Sequence, residues 1–240
     1  SSPGLFPEVL SDELRSLLDC APPVPPADIV HIVRRELGAA PDEVFARFDP
    51  APLASASIAQ VHAATLHDGT DVVVKVQRRG IRARLAADLA ILSGAAQLLE
   101  RTSARGRMAN PVAVVEDFAA TLAHELNFVL EAQAMERFSE NLVASGSNEG
   151  VRVPEVHWRY TTQRVLTMER IHGHSIDDTG TLSGSGFDLP EILKRGVRAW
   201  MEGALEHGFF HGDVHAGNLM VDTDGNLVFL DFGIVGQLDD

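Results

Sequence analysis

Residues 209–233, FFHGDVHAGNLMVDTDGNLVFLDFG, constrain this chain more than any other stretch. Two apolar runs, 219–221 and 227–230, flank Asp224-Gly225-Asn226, and turn chemistry between strand-like runs specifies a β-hairpin. A hairpin draws the loops at its two ends together. One loop carries Asp213 and Asn218, and the other carries Asp231 followed by Phe232 and Gly233. Their side chains offer oxygen donors, which suit Mg²⁺, a hard cation. Phosphoryl transfer uses such a set: one Asp takes the acceptor's proton, while Asn and a second Asp hold Mg²⁺ against nucleotide phosphates. Two plainer explanations compete. Asp and Asn favour Gly-rich turns for backbone reasons alone, and His211, Asp213 and His215, with His207, could ligate a transition metal. Agreement among 213, 218, 231 and the hairpin weighs against the first. The lack of a second ligand cluster weighs against the second.

With 240 residues, 45% of them hydrophobic, the chain can bury one large core or two modest lobes. A formal net charge of −14 argues against a nucleic-acid partner, because neutralising phosphates needs a basic face. One cysteine, Cys20, excludes an intramolecular disulfide and fits a reducing, cytoplasmic compartment. No run approaches the ~18 apolar residues of a membrane span, and no signal peptide is recognisable. The chain does not begin with Met and stops soon after Asp231, so both ends are read as cut.

Helical spacing of apolar residues predicts a helix over 6–18, a stiff Pro-rich linker at 22–26, a helix from Asp28 to Leu37 ended by Gly38, and a short one from Pro41. Strands are expected over 58–66 and 70–77, joined by the turn His67-Asp68-Gly69. In the second, Val72, Val74 and Val76 share one face, which puts Lys75 on the other. A strand Lys is usually solvated, but beside the Mg²⁺-type set it is the cation that phosphoryl transfer requires on the α- and β-phosphates. Ala54, Ser55, Ala56 and Ser57 precede the first strand where a kinase has glycines. A Cβ there restricts φ > 0 and crowds the phosphates.

Long helices are expected over 81–100, from a cap at Asn110, and over 124–138. The last offers Glu131 as partner for Lys75, with Glu125 as a further carboxylate on the metal side. Strands at 151–156 and 164–168 would complete a small sheet, and residues 169–173 would connect two lobes, with Glu169 and Ile171 placed for an adenine ring. A flexible loop at 179–186 leads into a helix to His207, with Leu193, Val197, Trp200, Met201 and Leu205 as its buried stripe.

Taken together, ASASIAQVH (54–62), Lys75 in VVVKVQ, ELNFVLEAQAMERF (125–138), HGDVHAGNLMV (211–221) and LDFGIVGQLD (230–239) resemble the UbiB or aarF-domain atypical kinases, associated with isoprenoid quinone biosynthesis. The resemblance implies an α+β, kinase-like two-lobed fold with a truncated C-lobe: a helical extension at 1–50, an N-lobe at 51–170 and a partial C-lobe at 171–240. It implies catalytic roles for Asp213, Lys75 and Glu131, nucleotide contacts from Ala54, Ser55, Ala56, Ser57, Lys75, Glu169 and Ile171, and Mg²⁺ on Asn218 and Asp231. Its ligands would be ATP or ADP with Mg²⁺, and its function that of a kinase or ATPase. A lipid or quinone-pathway partner, association with a membrane surface and a homodimer covering the cut lobe are further expectations. The family's Glu-x-Asp reads Glu125-Leu126-Asn127 here, one carboxylate fewer, and its Lys-x-Gly-Gln stretch is absent. A small-molecule phosphotransferase and a nucleotide-sensing scaffold stand as alternatives.

Overall fold

A computed structural model describes residues 24–102 and 108–238. The expected helix at 6–18, Cys20 and the first two residues of the Pro-rich linker, Pro22 and Pro23, lie outside the described residues. Among these, four antiparallel strands form the first sheet, in the order β1 (Arg47–Ser55), β2 (Ala59–Thr65), β3 (Asp71–Gln77) and β5 (Val165–Glu169). β1 is a strand the sequence conceals. It carries Pro50 and Pro52, which an edge strand tolerates, and its pairing with β2 shifts register around Pro52. The alanine-containing segment is therefore the end of β1 and the turn into β2. It closes with no left-handed residue, since Asn110 alone has positive φ among the described non-glycine residues.

The two faces of this sheet carry different helices. Val72, Val74 and Val76 are buried with Ile29, Ile32 and Val33 of α1 (Pro26–Leu37), Phe45 beyond α2 (Pro41–Val44), and Val165. Gly38, at φ 83, ends α1 as expected. Across the sheet, Val73 and Leu166 meet Phe128, Ala132 and Met135 of α5 (Phe128–Ser145) in a core that continues to Val221 and Phe229. Between β3 and α5 run α3 (Ile81–Thr102) and α4 (Pro111–Glu125), which pack on one another. The apolar stripe that helical spacing predicts on α3 is only partly covered: Ala96 is buried and Leu85 and Leu89 are half-buried, while Leu92 and Leu99 are exposed. Asn110 precedes α4 in a left-handed conformation, and its side chain makes no cap bond.

A second sheet has the order β4 (Val151–Arg152), β9 (Leu227–Phe229), β8 (Leu219–Asp222) and β6 (Gly173–Ser175), and β7 (Phe209–His211) pairs with β10 (Val235–Gln237). β8 and β9 are the hairpin read from the sequence. Gly225 turns at φ 84, while Asp222 Oδ1 accepts from the N–H groups of Asp224 and Asn226. Residues 151–156 meet the first sheet only at their end, where Glu155 and Val156 lie along β5. Val151 and Arg152 pair in parallel with β9, and past Pro154 a lone bridge joins Val156 to Met168. Residues 179–184 form a short helix, α6 (Thr179–Gly184), anchored by buried Leu182.

Packing of α7 (Leu189–Glu206) reverses the expected orientation. Ile192, Gly196, Ala199, Gly203 and Ala204 face inward, whereas Leu193, Val197, Met201 and Leu205 are exposed; of the expected stripe only Trp200 is half-buried. Close approach is the cause. A Cβ at Gly196 would lie 2.2 Å from Leu227 Cδ2, and one at Gly203 would lie 2.8 Å from the Phe209 carbonyl oxygen. No helix among the described residues is long and apolar enough to cross a membrane.

Candidate active site

Strand alternation turns Lys75 toward α5. Its side chain is buried, with Nζ donating to Glu131 Oε1 at 2.8 Å, Glu131 Oε2 at 3.0 Å and Asp231 Oδ2 at 3.1 Å. The ammonium also lies 5.2 Å from the Phe128 ring centroid. Glu131 stands in the first turn of α5. The sequence pattern runs as one helix through 124–138, but the structure breaks it at Leu126 and Asn127. Asn127 Oδ1 accepts the Val129 N–H at 3.2 Å and caps α5. The break places Glu125 at the end of α4 and Glu131 on a separate helix.

Electrostatics divide the three charged groups. Burial works to lower the Lys75 pKa, but the Asp231 and Glu131 carboxylates outweigh it and hold the ammonium. Burial pushes Glu131 upward and Asp231's charge adds to that, against the pull of Lys75. Desolvation also acts to raise Asp231, but Lys75 and the Gly233 N–H, 2.9 Å from Oδ1, bring it below the ordinary carboxylate range. The Asp231 side chain is 45% exposed and that of Glu131 only 4%. Glu131 thus anchors Lys75 from within, and Asp231 presents a partly exposed carboxylate.

The hairpin joins this cluster to the preceding loop. The Leu230 N–H donates to the Asn218 carbonyl at 3.0 Å, and Asn218 Nδ2 donates to the Asp213 carbonyl at 3.1 Å. Asp213 is exposed, and its N–H donates to His211 Nδ1 at 3.1 Å. His211 is buried against Phe229 and Phe232, while Trp200 Nε1 donates to its carbonyl at 2.8 Å. Its ring packing was not apparent from the sequence. Glu125 lies beside the Asp-Phe-Gly turn, its Cγ 3.9 Å from a Cβ built on Gly233: burial raises its carboxyl, the charges of Asp231 and Asp213 raise it further, and Lys75 opposes them.

Among the described residues, no three His, Cys, Asp or Glu side chains converge closely enough to hold a metal ion. His207 instead pairs with Ser145 Oγ at 3.0 Å. The amide and carboxylates of Asn218, Asp231 and Glu125 are oxygen donors of the kind a hard cation takes, and mutual repulsion among the carboxylates favours a cation. Ser55 and Ala56 reach the turn after β1, where Arg78 Nη2 donates to Ser55 Oγ at 2.8 Å and Arg78 Nε to the Ala56 carbonyl at 2.8 Å. Ala54 pairs with Val61, and Ser57 lies in the bend between strands. Ile171 lies in the connector from the first sheet to the second. Glu169 is engaged elsewhere: its N–H donates to the Glu155 carbonyl and its carboxylate accepts from Arg152, which also grips Asp222. Arg152 therefore ties the connector to the hairpin. It sits in a two-residue strand and gave no sequence signal.

A strand Lys paired to a helix Glu, facing an Asp–Asn loop and an Asp-Phe-Gly turn, defines a protein-kinase-like molecule. The chain belongs to the ABC1 family of atypical kinase-like domains, whose sequence pattern matches residues 16–240. The "uncharacterized protein Rv0647c" of Mycobacterium tuberculosis is 52% identical over 239 residues, covering 100% of this chain and 49% of that protein. The "probable protein kinase UbiB" of Azotobacter vinelandii is 42% identical over 238 residues, covering 98% and 44%. Among solved structures, Rv3197 of Mycobacterium tuberculosis, in complex with erythromycin, matches with a TM-score of 0.76 at 30% identity, over 97% of this chain and 57% of that one. The chain spans about half the length of the curated relatives it matches.

Proposed function

We infer that the cleft between the two sheets binds a nucleotide, ATP or ADP, together with Mg²⁺, and that the protein is a phosphotransferase or ATPase of the UbiB type. The observation that carries this reading is Lys75, held by buried Glu131 and reaching the half-open carboxylate of Asp231. Lys75 would orient the α- and β-phosphates, with Glu131 fixing its position. Asn218 and Asp231 would hold Mg²⁺, with Glu125 beside them, and the metal would neutralise charge that develops on the phosphates. Asp213, exposed at the mouth of the cleft, would accept the proton of the attacking hydroxyl or water. The turn at Ala54, Ser55, Ala56 and Ser57 would cover the phosphates, with Arg78 holding its shape from behind. Ile171 would border the adenine through the connector backbone. A link to isoprenoid quinone or lipid metabolism is the finer form of this proposal and rests on the likeness to UbiB.

Phosphate release by the full-length protein tests the reading. Asp213→Asn keeps the loop's backbone bonds and removes the base, so turnover should fall about 10²-fold or more while nucleotide affinity stays near wild type. Turnover unaffected by this change would refute the assignment. Nucleotide binding with no phosphate release by the wild type would point instead to a nucleotide-sensing scaffold.

A further inference from the structure

Behind the first sheet, α1, the end of β3, the first turn of α3 and Arg164 enclose a concavity of about 310 Å³. Five arginines line it, Arg35, Arg78, Arg79, Arg82 and Arg164, with Glu36 the one carboxylate among the lining residues. This concentration of positive charge occurs in a chain whose formal net charge is −14. A solvated helix face would spread its charges outward. Here three separate stretches, 31–36, 77–83 and Arg164, bring them around one hollow, and none of Lys75, Asp213, Asn218 and Asp231 lines it.

Arg78 is committed to the turn after β1, but the other four arginines keep donor capacity beyond their partners within the protein, because a guanidinium carries five N–H groups. Arg79 Nη1 donates to Asp28 Oδ1 at 2.7 Å, and its side chain remains 61% exposed. Arg82 gives Nη2 to the Leu126 carbonyl, yet its Nε is buried without an acceptor. Arg164 Nε stands 3.8 Å from Glu36 Oε1, too far for a hydrogen bond. The first-turn backbone of α3 borders the same hollow, where the helix dipole favours negative charge.

We propose that this concavity is a binding site for a phosphate-bearing anion, distinct from the nucleotide cleft. Guanidinium forks match phosphate oxygens in pairs, and several forks around one hollow suit clustered phosphates better than a single carboxylate. The volume lies at the low end for small-molecule pockets, about 300 Å³. A compact ligand such as pyrophosphate, a phosphorylated small molecule, or the phosphate headgroup of a lipid shares the required chemistry. The site does not depend on turnover in the cleft.

Titration calorimetry of the full-length protein with inorganic pyrophosphate, without Mg²⁺, provides the test. The double variant Arg35→Gln/Arg79→Gln changes two exposed side chains and should weaken binding about tenfold or more, since each charge-assisted bond lost is a sizeable share of affinity. Asp231→Asn should leave pyrophosphate binding unchanged. Co-sedimentation with phosphatidylglycerol vesicles, against phosphatidylcholine controls, separates the sources. Vesicle binding that needs Arg35 and Arg79, with weak pyrophosphate binding, assigns the headgroup. Pyrophosphate binding that needs them, without vesicle binding, assigns a free phosphate ligand. Binding indifferent to the double variant, pyrophosphate binding lost in Asp231→Asn, or no binding to either probe would overturn the proposal.

Discussion

Lys75 and Asp231, 156 residues apart in sequence, meet with Nζ 3.1 Å from Oδ2, and the same ammonium holds Glu131 at 2.8 Å. Because the Lys75–Glu131 pair is buried, removing one partner strands the other. Lys75→Met should cost about 3–5 kcal/mol of folding stability by leaving Glu131 buried and unpaired. Lys75→Met/Glu131→Leu should regain most of it. Urea unfolding checks both, and a double variant as unstable as the single one would contradict the account.

Two helical glycines should respond to alanine with opposite signs. Gly94 on α3 has nothing within 4 Å of a built Cβ, so Gly94→Ala should stabilise by about 0.5–1 kcal/mol through the unfolded chain and helix propensity. Gly203 on α7 lies against the Phe209 backbone, with a built Cβ 2.8 Å from its carbonyl oxygen. Gly203→Ala should destabilise by about 1–3 kcal/mol as the helix is pushed off β7. Equal shifts in thermal unfolding would show that α7 does not pack this closely.

Acidification should act through His211. Burial lowers its pKa below 6.5, and the neighbouring Asp231 and Asp213 charges oppose that without reversing it. A histidine depressed on folding binds fewer protons in the native state than in the unfolded chain. Its contribution is therefore complete above 6.5 and is lost as pH falls toward the depressed value. Buried His62 titrates in the same sense, whereas the raised carboxyls of Glu125 and Glu131 act oppositely. Comparison with His211→Asn, which can still accept the Asp213 N–H, isolates the one group. The wild type's advantage in Tm should shrink from pH 7.5 to pH 5.5, and a constant advantage would contradict it.

The cluster around Lys75 was legible because its parts are local: strand alternation at 72–77 orients the lysine, and turn chemistry at 224–226 folds Asp231 back toward Asn218. The break between Glu125 and Glu131 was hidden because neither Leu126 nor Asn127 is a Pro or Gly, and the cap becomes visible only through the Val129 bond. β1 was hidden by its prolines. The orientation of α7 was misread because large apolar side chains ordinarily mark a core, whereas here Gly196, Ala199 and Gly203 form the contact. The arginine-lined hollow gathers residues from 31 to 164, so no window of sequence could display it.

The central claim is a Mg²⁺-nucleotide site completed by Asp231. The most direct measurement is the Tm of the full-length protein with Mg²⁺ plus ADP, and with Mg²⁺ plus ATP, for wild type and Asp231→Asn. At ligand 100-fold above Kd, binding to the folded state adds about 2.7 kcal/mol. The account predicts a Mg²⁺-dependent rise in the wild type that Asp231→Asn abolishes. An equal rise in both proteins, or none in the wild type, would contradict it.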